Sequence, residues 1–325
     1  MVGKPLVPSW SANFEIGVRF WRHQFEHAMA MADPVEARAY FDSVQTETDE
    51  AFDVVVEPTR DVEPIGDWYR PRAVRRRSIL LHFHGGGYSF HAGISRRFAE
   101  LLAHALGTEV FVPDYRLTPE NPYPAQLEDG LAAYRSLLDS GIDPARIVVT
   151  GDSAGGHLAL MLLVALNVAG LPQPSIAIGM SAWTDIGARG ASLFGHDRFD
   201  LVQGHMAVEF GRRLRAGSDL SEASLAPIGQ DYADTAPIYL QGGGREIMID
   251  MIRDFAQLVR SQGGRVMLDV WEDMPHNFQA HGSTIRESHE ALKRIGEMID
   301  EFAGPTSRVF RSSSATELNS DDAGM

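Results

Sequence analysis

The chain has 325 residues, 44% of them hydrophobic, no cysteine, and a formal net charge of −15. This length suits one α/β core with an accessory segment, and the missing cysteines exclude disulfides, thiolate metal sites and a cysteine nucleophile. The negative charge argues against attraction to nucleic acid or anionic lipid, and no stretch has the form of a membrane span or signal peptide, so a soluble, cytoplasmic protein is expected.

The N-terminal residues 1–45 carry Trp10, Phe14, Phe20, Trp21 and Phe25 in a helix-like setting. From residue 53 onward, short apolar runs at 53–56, 78–83, 109–112, 146–150, 175–180, 237–240 and 266–271 read as strands. They alternate with helical periodicity at 96–106, 124–138, 154–168, 247–261 and 283–302, which predicts a mostly parallel sheet covered by helices on both faces. Residues 186–232 break the rhythm as a polar helical insertion dotted with Met and Phe. Read plainly, this insertion and the N-terminus are surface helices. Read sharply, they meet above the strand ends as a cap that shapes a pocket, because ligands in open α/β sheets bind outside the carboxyl ends of strands. The resulting organisation is N-terminal cap helices (1–45), a first core part (46–185), the cap insertion (186–232), a second core part (233–303) and a Ser-rich, disordered tail (304–325).

Two glycine-rich segments carry the chemistry. Gly151-Asp152-Ser153-Ala154-Gly155-Gly156 follows a strand and opens a helix, the form of a G-x-S-x-G nucleophile elbow, in which glycines permit the tight turn that exposes the serine. A serine capping a helix is the alternative role, but a cap needs neither both glycines nor a partner loop. That partner is His84-Gly85-Gly86-Gly87-Tyr88, an oxyanion loop whose amides converge on a substrate oxygen without a Cβ in the way. Gly86 and Gly87 are the expected donors, with Ala154 as the third, and His84 is expected to position the loop.

A serine hydroxyl needs a base held by a carboxylate, and in this arrangement the chain order is Ser, then Asp or Glu, then His. His276, in a short loop after the run at 266–271, is the expected base, with His281 second; His157 sits one turn into the serine's own helix and is expected to bond locally. Glu246 is the first carboxylate after the run at 237–240, with Asp250 as the fallback and helix-dipole stabilisation as its plainer role. The histidines His82, His84 and His91 raise a metal hydrolase as a rival, but no complete ligand set follows them.

These stretches resemble the hormone-sensitive lipase family of α/β-hydrolase carboxylesterases. Pro113-Asp114-Tyr115-Arg116-Leu117-Thr118-Pro119-Glu120, Ser181-Ala182-Trp183-Thr184-Asp185 and Pro275-His276-Asn277-Phe278 match as well. The resemblance implies an α/β-hydrolase fold with a mostly parallel eight-stranded sheet and a helical cap. It implies the triad Ser153, Glu246 and His276, no cofactor, frequently a homodimer, and small ester substrates with short or medium acyl chains. The family's usual Asp-Pro-Leu is Glu246-Ile247-Met248 here, and its His-Gly-Phe is His276-Asn277-Phe278. Lactonase or amidase chemistry on the same residues, and a non-enzymatic binding protein on the same fold, are the alternatives.

Overall fold

The computed structural model describes residues 5–44, 51–187, 189–217 and 219–304. The expected tail therefore lies outside the described residues except for Gly304.

The central apolar runs become strands that bury both faces. β3 (Ile79–Phe83), β5 (Ile147–Asp152) and β6 (Ile176–Met180) are buried at every residue, as central parallel strands must be. With β1 (Val54–Thr59), β2 (Gly66–Pro71), β4 (Glu109–Pro113), β7 (Ile238–Gly243) and β8 (Val266–Trp271) they form one eight-stranded sheet in the order β1-β2-β4-β3-β5-β6-β7-β8. Pairing is antiparallel for β1 with β2 and β2 with β4, and parallel from β4 to β8.

β2 is absent from the apolar runs in the sequence. Its residues Gly-Asp-Trp-Tyr-Arg-Pro alternate between faces: Tyr69 is buried, while Trp68 packs on Phe111 at 5.0 Å and carries the Arg70 guanidinium 4.6 Å above its ring. A polar spelling thus conceals a strand. β1 departs in the opposite sense, since Val55 and Val56 of this edge strand are exposed although the run reads as a buried one. The helix expected at 283–302 runs from Arg286 to Ala303. Its predicted first turn is instead the end of a 3-10 turn, Phe278–Thr284, in which Gly282 takes φ 56°.

Helix α5 (Ala154–Val168) is apolar nearly all round and buried along most of its length, the mark of a core helix. It can start against the sheet only because its first turn is glycine. A Cβ on Gly155 would lie 1.8 Å from the carbonyl oxygen of Phe83 in β3, one on Gly151 2.1 Å from that of Gly155, and one on Gly156 2.7 Å from the Ala182 side chain.

The N-terminal helices α1 (Ala12–Ala30) and α2 (Pro34–Ser43) bring Phe25 within 4.5 Å of Phe41, and Phe41 within 5.2 Å of Phe90 in the loop after β3. From the chain between β6 and β7, the helix Gly204–Arg215 sets Phe210 edge-on to the same Phe90 at 6.3 Å. Arg22 of α1 donates to the carbonyl of Asp200 at 2.7 Å, so the two segments touch directly above the carboxyl ends of the strands.

Gly155→Ala is expected to cost ~3 kcal/mol or more, the upper range for overpacking. Gly170→Ala, at φ 63° with nothing within 4 Å, should cost about 1 kcal/mol for the left-handed backbone alone. Urea denaturation midpoints of the two variants test the ordering.

Candidate active site

A cavity of about 730 Å³ opens over the ends of β3, β5 and β8 and is lined by Gly86, Gly87, Ser153 and His276 among polar and backbone groups, and by Phe14, Trp21, Phe25, Phe41 and Phe210 among apolar ones. Each polar contributor is held by the element behind it.

Ser153 joins β5 to α5 at φ 54° and ψ −119°, a conformation that costs an ordinary side chain of order 1–3 kcal/mol. Backbone bonds hold the turn: the Ser153 amide donates to Met180 at 3.0 Å, and its carbonyl accepts from His157 at 3.1 Å and Trp183 at 3.0 Å. The strain faces the hydroxyl toward the cavity instead of into the helix cap.

The glycine loop after β3 curls on itself, the Gly86 carbonyl accepting from Ser89 and Phe90 at 3.0 Å each. Gly86 and Gly87 have φ of 109° and 59°, and a Cβ on Gly87 would strike the Phe210 ring at 2.4 Å. Among the described residues, the amides of Gly86, Gly87 and Ala154 have no acceptor. Gly86 and Gly87 face the cavity, and Ala154 lies buried at the head of α5. His84 is packed between the rings of His91 at 3.9 Å and Tyr115 at 4.3 Å. Its Nδ1–H donates to Gly85 at 2.7 Å, and burial first of all depresses its pKa strongly. It braces the loop from behind.

His276 follows β8 and is buried at the cavity floor, and neither of its ring nitrogens has a hydrogen-bond partner among the described residues. Glu246 lies in the turn after β7, fully buried. Its Oε2 accepts from the Ser181 hydroxyl at 2.6 Å and the Gly243 amide at 3.0 Å, while Oε1 has no partner. The two turns are stitched side by side, with Gly244 donating to Trp271 at 2.8 Å and Arg245 to Met274 at 2.9 Å. The structure thus gathers serine, histidine and carboxylate but forms no hydrogen bond from His276 to Ser153 or Glu246. Both His276 nitrogens and Glu246 Oε1 thus keep hydrogen-bonding capacity in reserve. Burial pushes the Glu246 carboxyl up to about 8, against the Ser181 bond that lowers it, and depresses His276 to about 4.

The alternatives lie elsewhere. Asp250 accepts from the Ser192 amide at 2.9 Å and neighbours Arg253 at 3.9 Å, so it faces the chain between β6 and β7. His281 stacks edge-on to Phe14 at 4.8 Å on the cavity wall. His157 is within 2.7 Å of both the Tyr88 hydroxyl and the Leu225 carbonyl, a local bracing role. His82 pairs with Thr150 at 2.9 Å instead of converging with His84 and His91, and no group of three or more potential ligands occurs among the described residues.

The family model for the alpha/beta hydrolase fold matches residues 80–280. The chain belongs to the hormone-sensitive lipase family of α/β-hydrolases. An acetyl-hydrolase of Streptomyces hygroscopicus is 32% identical over 78% of this chain and 87% of its own length. A solved esterase of the bacterial hormone-sensitive lipase family shares 30% identity with a TM-score of 0.79, covering 88% of this hydrolase and 98% of that chain. The solved esterase EstE5, soaked with p-nitrophenyl butyrate, gives 28% identity and a TM-score of 0.78 over 88% and 98%.

Three bracing side chains of this hydrolase escape a reading of sequence alone. Asp152 accepts from the Gly85 amide at 2.9 Å and from Asn277 Nδ2 at 2.7 Å, joining the glycine loop, the elbow and the histidine loop. Ser181, at φ 48°, accepts from the Asn277 amide at 3.0 Å while donating to Glu246. Asn277 itself is left-handed, at φ 53°. This explains why the family's glycine can be asparagine here: Asn tolerates that region, and its side chain adds the bond to Asp152. The one sequence signal was the departure itself.

Asn277→Gly should therefore lose only a bond to a carboxylate, about 1.5–3 kcal/mol, and Asn277→Ala should lose about 1 kcal/mol more for its backbone. Chemical denaturation of the pair separates the two contributions.

Proposed function

We propose that this carboxylic ester hydrolase works by a serine mechanism, with Ser153 as nucleophile, His276 as base, Glu246 as the acid that orients His276, and the amides of Gly86, Gly87 and Ala154 as the oxyanion hole. The reading rests on one observation: unpartnered amides, a strained serine and a histidine with both ring nitrogens free meet at one cavity. Ser153 Oγ attacks the ester carbonyl carbon as its proton passes to His276, and the carbonyl oxygen takes the negative charge under the amides. Collapse breaks the carbon–oxygen bond to the alcohol, which leaves with that proton, and water delivered through His276 then cleaves the acyl-enzyme. Residues 1–45 and 186–232 serve as the cap, and the aromatic cavity walls suit short- to medium-chain acyl groups. The p-nitrophenyl butyrate soak of EstE5 is in keeping with that class.

Burial keeps His276 neutral, and so able to accept a proton, well below the ordinary histidine range. A protonated His276 cannot take the serine proton, so activity falls as pH drops through the depressed histidine value. The acidic limb of kcat/KM is therefore expected below pH 6.5; a limb at or above that value contradicts the burial argument.

Ser153→Ala should lower kcat on p-nitrophenyl butyrate by roughly 10⁴-fold or more, and retention of turnover would refute the mechanism. Glu246→Gln should lose far more activity than Asp250→Asn, and the reverse order transfers the acid role to Asp250. A panel of esters from acetate to decanoate, with a lactone and an anilide included, tests the chain-length preference and the ester class.

A further inference from the structure

Asp200 lies in the chain between β6 and β7, with no exposed surface and no part in the mechanism above. All of its side-chain hydrogen bonds come from backbone amides. Oδ1 accepts from Leu201 at 2.7 Å and from His276 at 3.1 Å, and Oδ2 accepts from Ile247 at 2.7 Å. One carboxylate therefore grips the amide of the proposed base and the amide directly after the proposed acid. Its own carbonyl accepts from Arg22 of α1 at 2.7 Å, and the next two residues, Leu201 and Val202, line the cavity.

The chemistry of this clasp is specific. Three amides shared between two oxygens require two acceptors, so an asparagine would turn an NH2 toward an N–H. A buried carboxylate is costly unless hydrogen bonds satisfy it, and a purely structural staple could have used a neutral acceptor. Here the turns it holds are those that carry the proposed base and the proposed acid.

We propose that Asp200 is a positioning residue that aligns the Glu246 and His276 turns from the side of the substrate cavity. It thereby couples a substrate seated on Leu201 and Val202 to the His276–Glu246 contact that the structure leaves open. This rests on the triad reading above. Charged and titratable groups facing the cluster are Arg22 from α1, His196 and Asp197 from the same chain segment, Glu246 from the turn after β7, and Asp152 from the end of β5.

The test compares wild type, Asp200→Asn, Arg22→Met and Ser153→Ala on p-nitrophenyl acetate and p-nitrophenyl hexanoate, with circular dichroism confirming the fold. Asp200→Asn is expected to lower kcat about 10- to 100-fold with KM within threefold. The loss should be larger for the hexanoate than for the acetate. Wild-type kcat, or a loss equal for the two esters, overturns the assignment. If Asp200→Asn does not fold, Arg22→Met decides: a fall in kcat of threefold or more at constant KM supports the coupling, and unchanged kcat overturns it. Ser153→Ala reports separately on the triad, because retained turnover there sinks the underlying mechanism, whereas its loss beside a wild-type-like Asp200→Asn sinks only the role of Asp200.

Discussion

Contact between the first turn of α5 and the end of β3 is the constraint from which the site follows. Van der Waals contact that close excludes any Cβ at Gly155, while Gly151 and Gly156 are held to glycine by the Gly155 carbonyl and the Ala182 side chain, and the residue between strand and helix takes a positive φ. The strain at Ser153 is paid for by a helix buried nearly all round, whose apolar area is worth roughly 25 cal/mol per Å² removed from water. An elbow on a less buried helix would relax and withdraw its hydroxyl into the cap.

Carboxylates do the remaining alignment, and they divide the labour. Asp152 ties the glycine loop to the histidine loop, Glu246 accepts from Ser181 and Gly243, and Asp200 grips the two turns. Each accepts at least one backbone amide, so the charges are held by peptide dipoles instead of lysine or arginine side chains. In a buried setting such dipoles are already oriented and need no rearrangement as charge moves during a reaction. The elevated Glu246 and Asp200 values share one cause, since burial dominates both.

Much of this was legible because glycine and apolar runs leave direct traces. The strands with both faces buried, the helix at 154–168 and the two glycine motifs all have local signatures, and Ser153, Gly86 and Gly87 meet at the cavity where those signatures put them. β2 was hidden because Asp67 and Arg70 interrupt its apolar residues, and the β4 ring on which Trp68 packs, Phe111, is visible only in three dimensions. Asp200 left no trace, since it falls inside the stretch read as a polar helical insertion and its three amide donors come from positions scattered over 76 residues. Asn277 sat between these cases: its departure from glycine could be seen, but its bond to Asp152 could not.

The aromatic walls of the cavity come from helices that supply none of the atoms proposed to react. Phe14, Trp21, Phe25 and Phe41 stand on α1 and α2, and Phe210 on the helix Gly204–Arg215, whereas the amides proposed as the oxyanion hole and the Ser153 turn are fixed by main chain at the sheet. Selection can therefore remodel what the cavity admits, one ring at a time, without passing through a form whose chemistry is impaired. Under the role proposed for it, Asp200 limits that freedom: it directly precedes Leu201 and Val202 in the cavity wall, so changes in that stretch trade substrate range against alignment.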